Sequence, residues 1–134
     1  MPFPNITNCL VCDAVREEVR GKLSLLGFFG LTPNVSITVK SFGLPVSLAF
    51  VLMMEPSAGK WPVMLDILDP TGKPLVPRIG PLTIVSESGK RTVAVINTAT
   101  TYPRAGVYIL RAIAPDGSTA YDASYALSEE PTTV

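Results

Sequence analysis

Apolar side chains recur at every second position in short runs along this chain of 134 residues, and turn-forming clusters close each run. Val35, Ile37 and Val39 alternate with Ser36, Thr38 and Lys40. A strand turns successive side chains to opposite faces, so this pattern spells one dry face and one wet face. Trp61, Val63, Leu65 and Ile67 form the dry face of a second strand, and Val93 and Val95 are expected to do the same within residues 91–97. Val46, Leu48, Phe50, Leu52 and Met54 form a row whose opposite row, Ser47, Ala49, Val51 and Met53, is also largely apolar. A strand apolar on both faces belongs at the centre of a sheet, covered on both sides. Tyr121, Ala123, Tyr125 and Leu127 alternate with Ala120, Asp122, Ser124 and Ala126, which makes the tail a strand as well.

The turns between these runs have a mechanism. Asp69-Pro70-Thr71-Gly72 and Ala114-Pro115-Asp116-Gly117 place proline and glycine where tight reversals use their fixed or positive φ. Ser88-Gly89-Lys90 reads as a third turn, and Glu18-Val19-Arg20-Gly21 as a reversal between residues 9–16 and 22–29. Only residues 13–20 have helix-forming composition, enough for one or two turns before Gly21. The expected fold is all-β: one domain over residues 1–134, a two-sheet antiparallel β-sandwich of about eight strands, immunoglobulin-like or C2-like. In Pro103-Arg104-Ala105-Gly106-Val107-Tyr108 a glycine precedes a tyrosine by two residues at a strand start. This resembles the tyrosine corner of such sandwiches, whose hydroxyl bonds back to the preceding turn.

Composition restricts the chemistry. The chain has no histidine, so Ser-His-Asp triads, Cys-His pairs and imidazole metal sites are excluded. Eleven basic residues balance eleven acidic ones, which gives no general attraction for nucleic acid or anionic membrane. Charged residues make up 16% of the chain, where about 25% is usual. With so few charges and a full apolar share, some apolar surface is expected to stay exposed and to take a partner. The expected partner is a second copy, giving a homo-oligomer, in the first place a dimer, through strand edges and the Met53-Met54 region. The start of the chain shows no basic segment followed by an apolar leader, and no apolar run is long enough to span a bilayer; the expectation is a cytoplasmic protein with neither membrane nor nucleic acid as partner.

Cys9 and Cys12 lie in a strand-like stretch, where residues three apart point to opposite faces, so a disulfide between them is not expected. No further cysteine and no histidine complete a zinc site. Both are expected to be reduced thiols packed as small apolar groups. The sequence Cys12-Asp13-Ala14-Val15-Arg16-Glu17-Glu18-Val19-Arg20-Gly21-Lys22-Leu23-Ser24-Leu25-Leu26-Gly27 resembles the opening of a functionally uncharacterised family of short bacterial proteins. Roughly the first thirty residues carry the resemblance. It implies a small, stand-alone bacterial protein with this hairpin near its start, and it brings no catalytic residues.

Three groups of side chains invite a functional reading. Asp13, Arg16, Glu17, Glu18, Arg20 and Lys22 are the densest charge cluster, and Asp13, Arg16, Glu17, Glu18 and Lys22 form the candidate interaction patch. The competing reading is a solvated hairpin tip whose ion pairs resist edge-to-edge association. Asp66, Asp69, Asp116 and Asp122 suggest calcium only if loops bring them together, and two of them already serve turns. Trp61, Tyr102, Tyr108, Tyr121 and Tyr125 could stack on a sugar or fill the core, and filling the core is the better expectation. The reading is a non-enzymatic, cofactor-free protein that binds protein, itself included. The alternatives are a carbohydrate-binding module using surface aromatics and a hydrolase using a carboxylate pair.

Overall fold

The computed structural model describes residues 3–131 apart from Ser88 and Lys90. The third turn foreseen from sequence thus lies largely outside the described residues. Nine strands follow in order: β1 (Ile6–Glu17), β2 (Leu23–Leu31), β3 (Ser36–Val39), β4 (Pro45–Met54), β5 (Gly59–Leu68), β6 (Ile79–Ser86), β7 (Thr92–Thr101), β8 (Gly106–Ile113) and β9 (Thr119–Glu129). A single 3-10 turn, Val19–Gly21, joins β1 to β2, so the helix-forming composition of residues 13–20 goes largely into strand and turn. The fold is all-β, with strands in the order β2-β1-β4-β7 in one sheet and β3-β9-β8-β5-β6 in the other. The five-stranded sheet curls into a half-barrel.

Among the described residues every pair of strands is antiparallel except one. β3 runs parallel to β9, with Ile37 opposite Leu127, which corrects the wholly antiparallel expectation. The alternation in β3 reports its buried face, but alternation is the same in parallel and antiparallel strands and so says nothing of direction.

The core lies between the two sheets. From the four-stranded sheet come Cys9, Val11, Leu48, Phe50, Leu52, Met54 and Ile96; from the other come Ile37, Val63, Leu65, Ile67, Leu110, Tyr108 and Tyr125. The predicted dry faces of β3 and β5 hold: Val35, Ile37, Val39, Trp61, Val63, Leu65 and Ile67 are all buried. β4 is central in its sheet, as its double apolar rows require, and Met54 belongs to the core, not to the exposed surface expected for it.

The dry face of β7 is the reverse of the expected one. Ile96 lies opposite Phe50 and joins the core, while Val93 and Val95 face outward. The neighbour decides this, because β4 pairs with β7 over ten consecutive residues and so passes on its own parity.

Tyr108 closes the corner foreseen from sequence: its hydroxyl donates to the Arg104 carbonyl at 2.7 Å. Gly106 makes this corner passable. Its φ of +144° favours glycine, and a Cβ there would meet Pro70 Cγ at 2.6 Å.

Candidate functional site

The charged patch resolves into separate pieces. At the hairpin tip Arg16 Nε and Glu18 Oε1 pair at 2.6 Å, and the Ser24 hydroxyl donates to the same oxygen at 2.9 Å. The Glu18 amide donates to the Lys22 carbonyl at 2.7 Å, and Arg20 takes a positive φ of 66° inside the turn. Glu17 and Lys22 are exposed. Asp13 lies away from the tip, its carboxylate packed over Gly27, whose φ of +63° and absent side chain leave the space. Five charged residues adjacent in sequence therefore do not converge on one point. What they share is the local geometry of a hairpin, with the Cys12-Asp13 and Gly27 ends of the segment in contact across the ladder.

The acidic residues also have partners. Asp66 receives Arg78 through two bonds of 2.9 Å, and Asp122 receives Arg111 at 2.8 and 3.0 Å. Arg111 stands opposite both Asp66 and Asp122 in the sheet, so Arg78, Asp66, Arg111 and Asp122 form an alternating ionic ladder on the outer face of the five-stranded sheet. Asp69 accepts from the Thr71 hydroxyl and from the amides of Thr71 and Lys73, which holds its carboxyl below the usual carboxylate range. Asp116 does the same with the Ser118 hydroxyl and amide. Among the described residues no group of three or more acidic or cysteine side chains gathers as metal ligands would.

Most of the aromatic residues fill the core. Tyr102, Tyr108 and Tyr125 are at most 1% exposed and pack ring to ring, with centroids 4.8 to 6.2 Å apart. Trp61 is buried, with Phe3 edge-on at 6.0 Å, and the two border a cleft of about 440 Å³ with Pro115 and Asp116. A second cleft, of about 330 Å³, is lined by Asp13, Lys40, the hydroxyl side chains of Thr38, Ser41 and Ser47, and apolar side chains. Each of these two clefts contains one carboxylate, so neither presents the pair that a glycosidase uses.

Cys9 points into the core and Cys12 to the outer face of the same sheet; both are free and fully buried. Burial pushes the Cys9 thiol up to about 12 and raises that of Cys12 as well. Neither is poised as a nucleophile, which would need a lowered value.

The largest departure from an ordinary solvated surface is the outer face of the four-stranded sheet. Leu31, Leu10, Val51 and Val95 stand opposite one another across all four strands. The next row is Phe28, Cys12, Ala49 and Asn97, and on the other side Asn8, Met53 and Val93 continue the face. These three rows contain no charged residue. Exposure is concentrated on the two edge strands: Phe28 is 56% exposed, Leu26 48% and Leu31 46% on β2, and Val93 41% on β7, while Cys12, Ala49 and Val51 between them are buried by their neighbours. Sequence reasoning anticipated exposed apolar surface and named Met53, but missed this face. Its members come from four separate segments and only cross-strand register unites them. The available signals were the second apolar row of β4 and the uncharged run Leu23–Leu31.

No protein-family model and no curated protein matches the chain. Among solved structures it is similar to the alkylpurine DNA glycosylase AlkC of Pseudomonas fluorescens bound to DNA containing an abasic site analogue, at 17% identity and a TM-score of 0.43. The similarity covers 72% of this chain and 28% of that one. No helix among the described residues is long and apolar enough to cross a membrane.

Proposed function

We propose that this chain is a self-associating β-sandwich of immunoglobulin-like or C2-like type, non-enzymatic, whose binding surface is the outer face of its four-stranded sheet and whose partner is a second copy. One observation carries the reading: three rows of that face, two spanning all four strands and one spanning three, are free of charge, whereas the corresponding face of the other sheet carries an ionic ladder. An apolar face of this extent marks a docking surface.

Two properties favour a second copy as the occupant. A partner must bring a face that leaves no charge buried unpaired, and the identical face satisfies this. The eleven residues of the three rows, with the uncharged Leu26, Ala14, Ser47 and Ala99 beside them, each cover ~4.8 by ~6.8 Å of sheet and give a face of about 490 Å² in projection, within a factor of two of the ~800 Å² that each partner buries in a stable interface. The tyrosine corner at Tyr108 supports the sandwich type.

Light scattering at tens of micromolar tests the reading. Phe28→Lys places a charge in the face while leaving the core alone, and it is expected to halve the mass of the assembly. A native chain that is monomeric, or an assembly whose mass this variant does not change, overturns the reading.

A further inference from the structure

The two sheets end in four edge strands, β2 and β7 in one, β3 and β6 in the other. An open edge is a row of unpaired backbone donors and acceptors, and proteins blunt such edges in recognisable ways. β3 is blunted by its length of four residues. β6 carries Pro81 near its start and a register shift against β5 between Val63 and Leu65. β2 is kinked by Gly27 at φ +63° and shifts register against β1 between Val11 and Cys12.

β7 has none of these devices. Thr92–Thr101 contains no charge, no proline and no glycine, and it is built of threonine, valine, alanine, isoleucine and one asparagine. All ten residues pair with β4 without a break, so the strand is regular and free of bulges along its whole length. Among the described residues no strand pairs with its second edge.

We infer that β7 is a strand-addition site and that it takes the β7 of a second copy, antiparallel, across a two-fold axis. A strand edge pairs best with another long, uncharged, extended strand of high β-propensity, and β7 itself meets that description. Antiparallel pairing sets like faces side by side. Centred on Asn97, the outward row Val93, Val95, Asn97, Ala99 and Thr101 of one copy therefore lies beside the same row of the other, running in reverse. The two four-stranded sheets become one sheet of eight strands, with the apolar outer face doubled and uninterrupted. The occupant is again a second copy, so the inference rests on the self-association reading for its partner but not for its surface. Joined with stacking of the outer faces, edge pairing adds a second, perpendicular two-fold axis and closes the assembly as a tetramer.

Residue-resolved amide exchange, measured by NMR together with light scattering, decides between the arrangements. In an unpaired edge strand every second amide faces water and exchanges fast; in a paired one none does. The expected result is a tetramer with protection at consecutive β7 amides, and for Phe28→Lys a folded dimer that keeps this protection. If alternate β7 amides exchange at the rate of open amides in whatever assembly forms, edge pairing is overturned, even when Phe28→Lys halves the mass and the stacking reading survives. A Phe28→Lys chain of unchanged mass with protected β7 amides upholds edge pairing and overturns the stacking reading. A monomer overturns both.

Discussion

The hydroxyls of Tyr102 and Tyr125 meet 3.0 Å apart in the centre of the core, the first carried on the segment after β7 and the second on β9. Two polar atoms thus tie the two sheets across an otherwise apolar interior. Tyr102 has a second partner in Thr100, while among the described residues Tyr125 has Tyr102 alone. Tyr102→Phe therefore strands the Tyr125 hydroxyl away from water and is expected to cost about 1–3 kcal/mol, the usual penalty for an unsatisfied buried group. Tyr125→Phe leaves the Tyr102 hydroxyl bonded to Thr100 and should cost under about 1 kcal/mol. Urea unfolding of the two variants checks the order; equal losses would show that the two hydroxyls have equivalent surroundings.

The same burial sets the pH profile. Cys9 is held up to about 12 by burial, and Tyr102, Tyr108 and Tyr125 are raised by the same cause. A folded-state value above the unfolded one means the folded chain keeps its proton longer, so the associated stability is complete below the unfolded value and is lost as pH rises. For Cys9 the loss runs from the ordinary thiol value of 9.0 up to about 12. Asp69 and Asp116 have the opposite sign: their stabilisation is present above the ordinary carboxylate value of 3.8 and fades as pH falls below it. With no histidine in the chain, the melting temperature should be flat between about pH 5 and 8 and fall steeply above about pH 9. Melting curves across the pH range test this, and a step near pH 6.5 would contradict it.

Gly106 and Gly43 separate two costs of a side chain. Both have positive φ, but a Cβ at residue 106 strikes Pro70 whereas one at residue 43 meets open space. Gly43→Ala should lose about 1 kcal/mol from backbone strain alone. Gly106→Ala adds a clash beside the Tyr108 corner and should lose about 2–4 kcal/mol. Denaturation midpoints rank the pair, and equal midpoints would mean that Pro70 yields freely.

How far the fold can be read from sequence depends on where the information lies. Val35-Ser36-Ile37-Thr38-Val39 announces its buried face because polarity itself alternates, and the structure buries the three apolar residues. In Thr92-Val93-Ala94-Val95-Ile96 both faces are apolar, so local pattern cannot choose between them, and pairing with Phe50 selects Ile96. The reversal at residues 18–21 and the Asp69 and Asp116 turns were legible because proline, glycine and aspartate act over a few residues. The pairing of β3 with β9 joins segments ninety residues apart and leaves no local trace. The charge cluster was legible as a hairpin tip at Arg16 and Glu18, but not in the diversion of Asp13 to Gly27, which depends on the register of β1 and β2. The apolar outer face is the extreme case: Leu31, Leu10, Val51 and Val95 become neighbours only once three ladders have formed.

The contrast between the two outer faces makes the molecule respond to salt in two directions at once. Added ions screen the ladder of Arg78, Asp66, Arg111 and Asp122 and weaken it modestly. Sulfate or phosphate, excluded from protein surface, strengthens contact between apolar faces. The proposed self-association is therefore expected to strengthen under the ionic conditions that part most charge-driven complexes, and dilution into low salt, not high, is the expected route to separate copies.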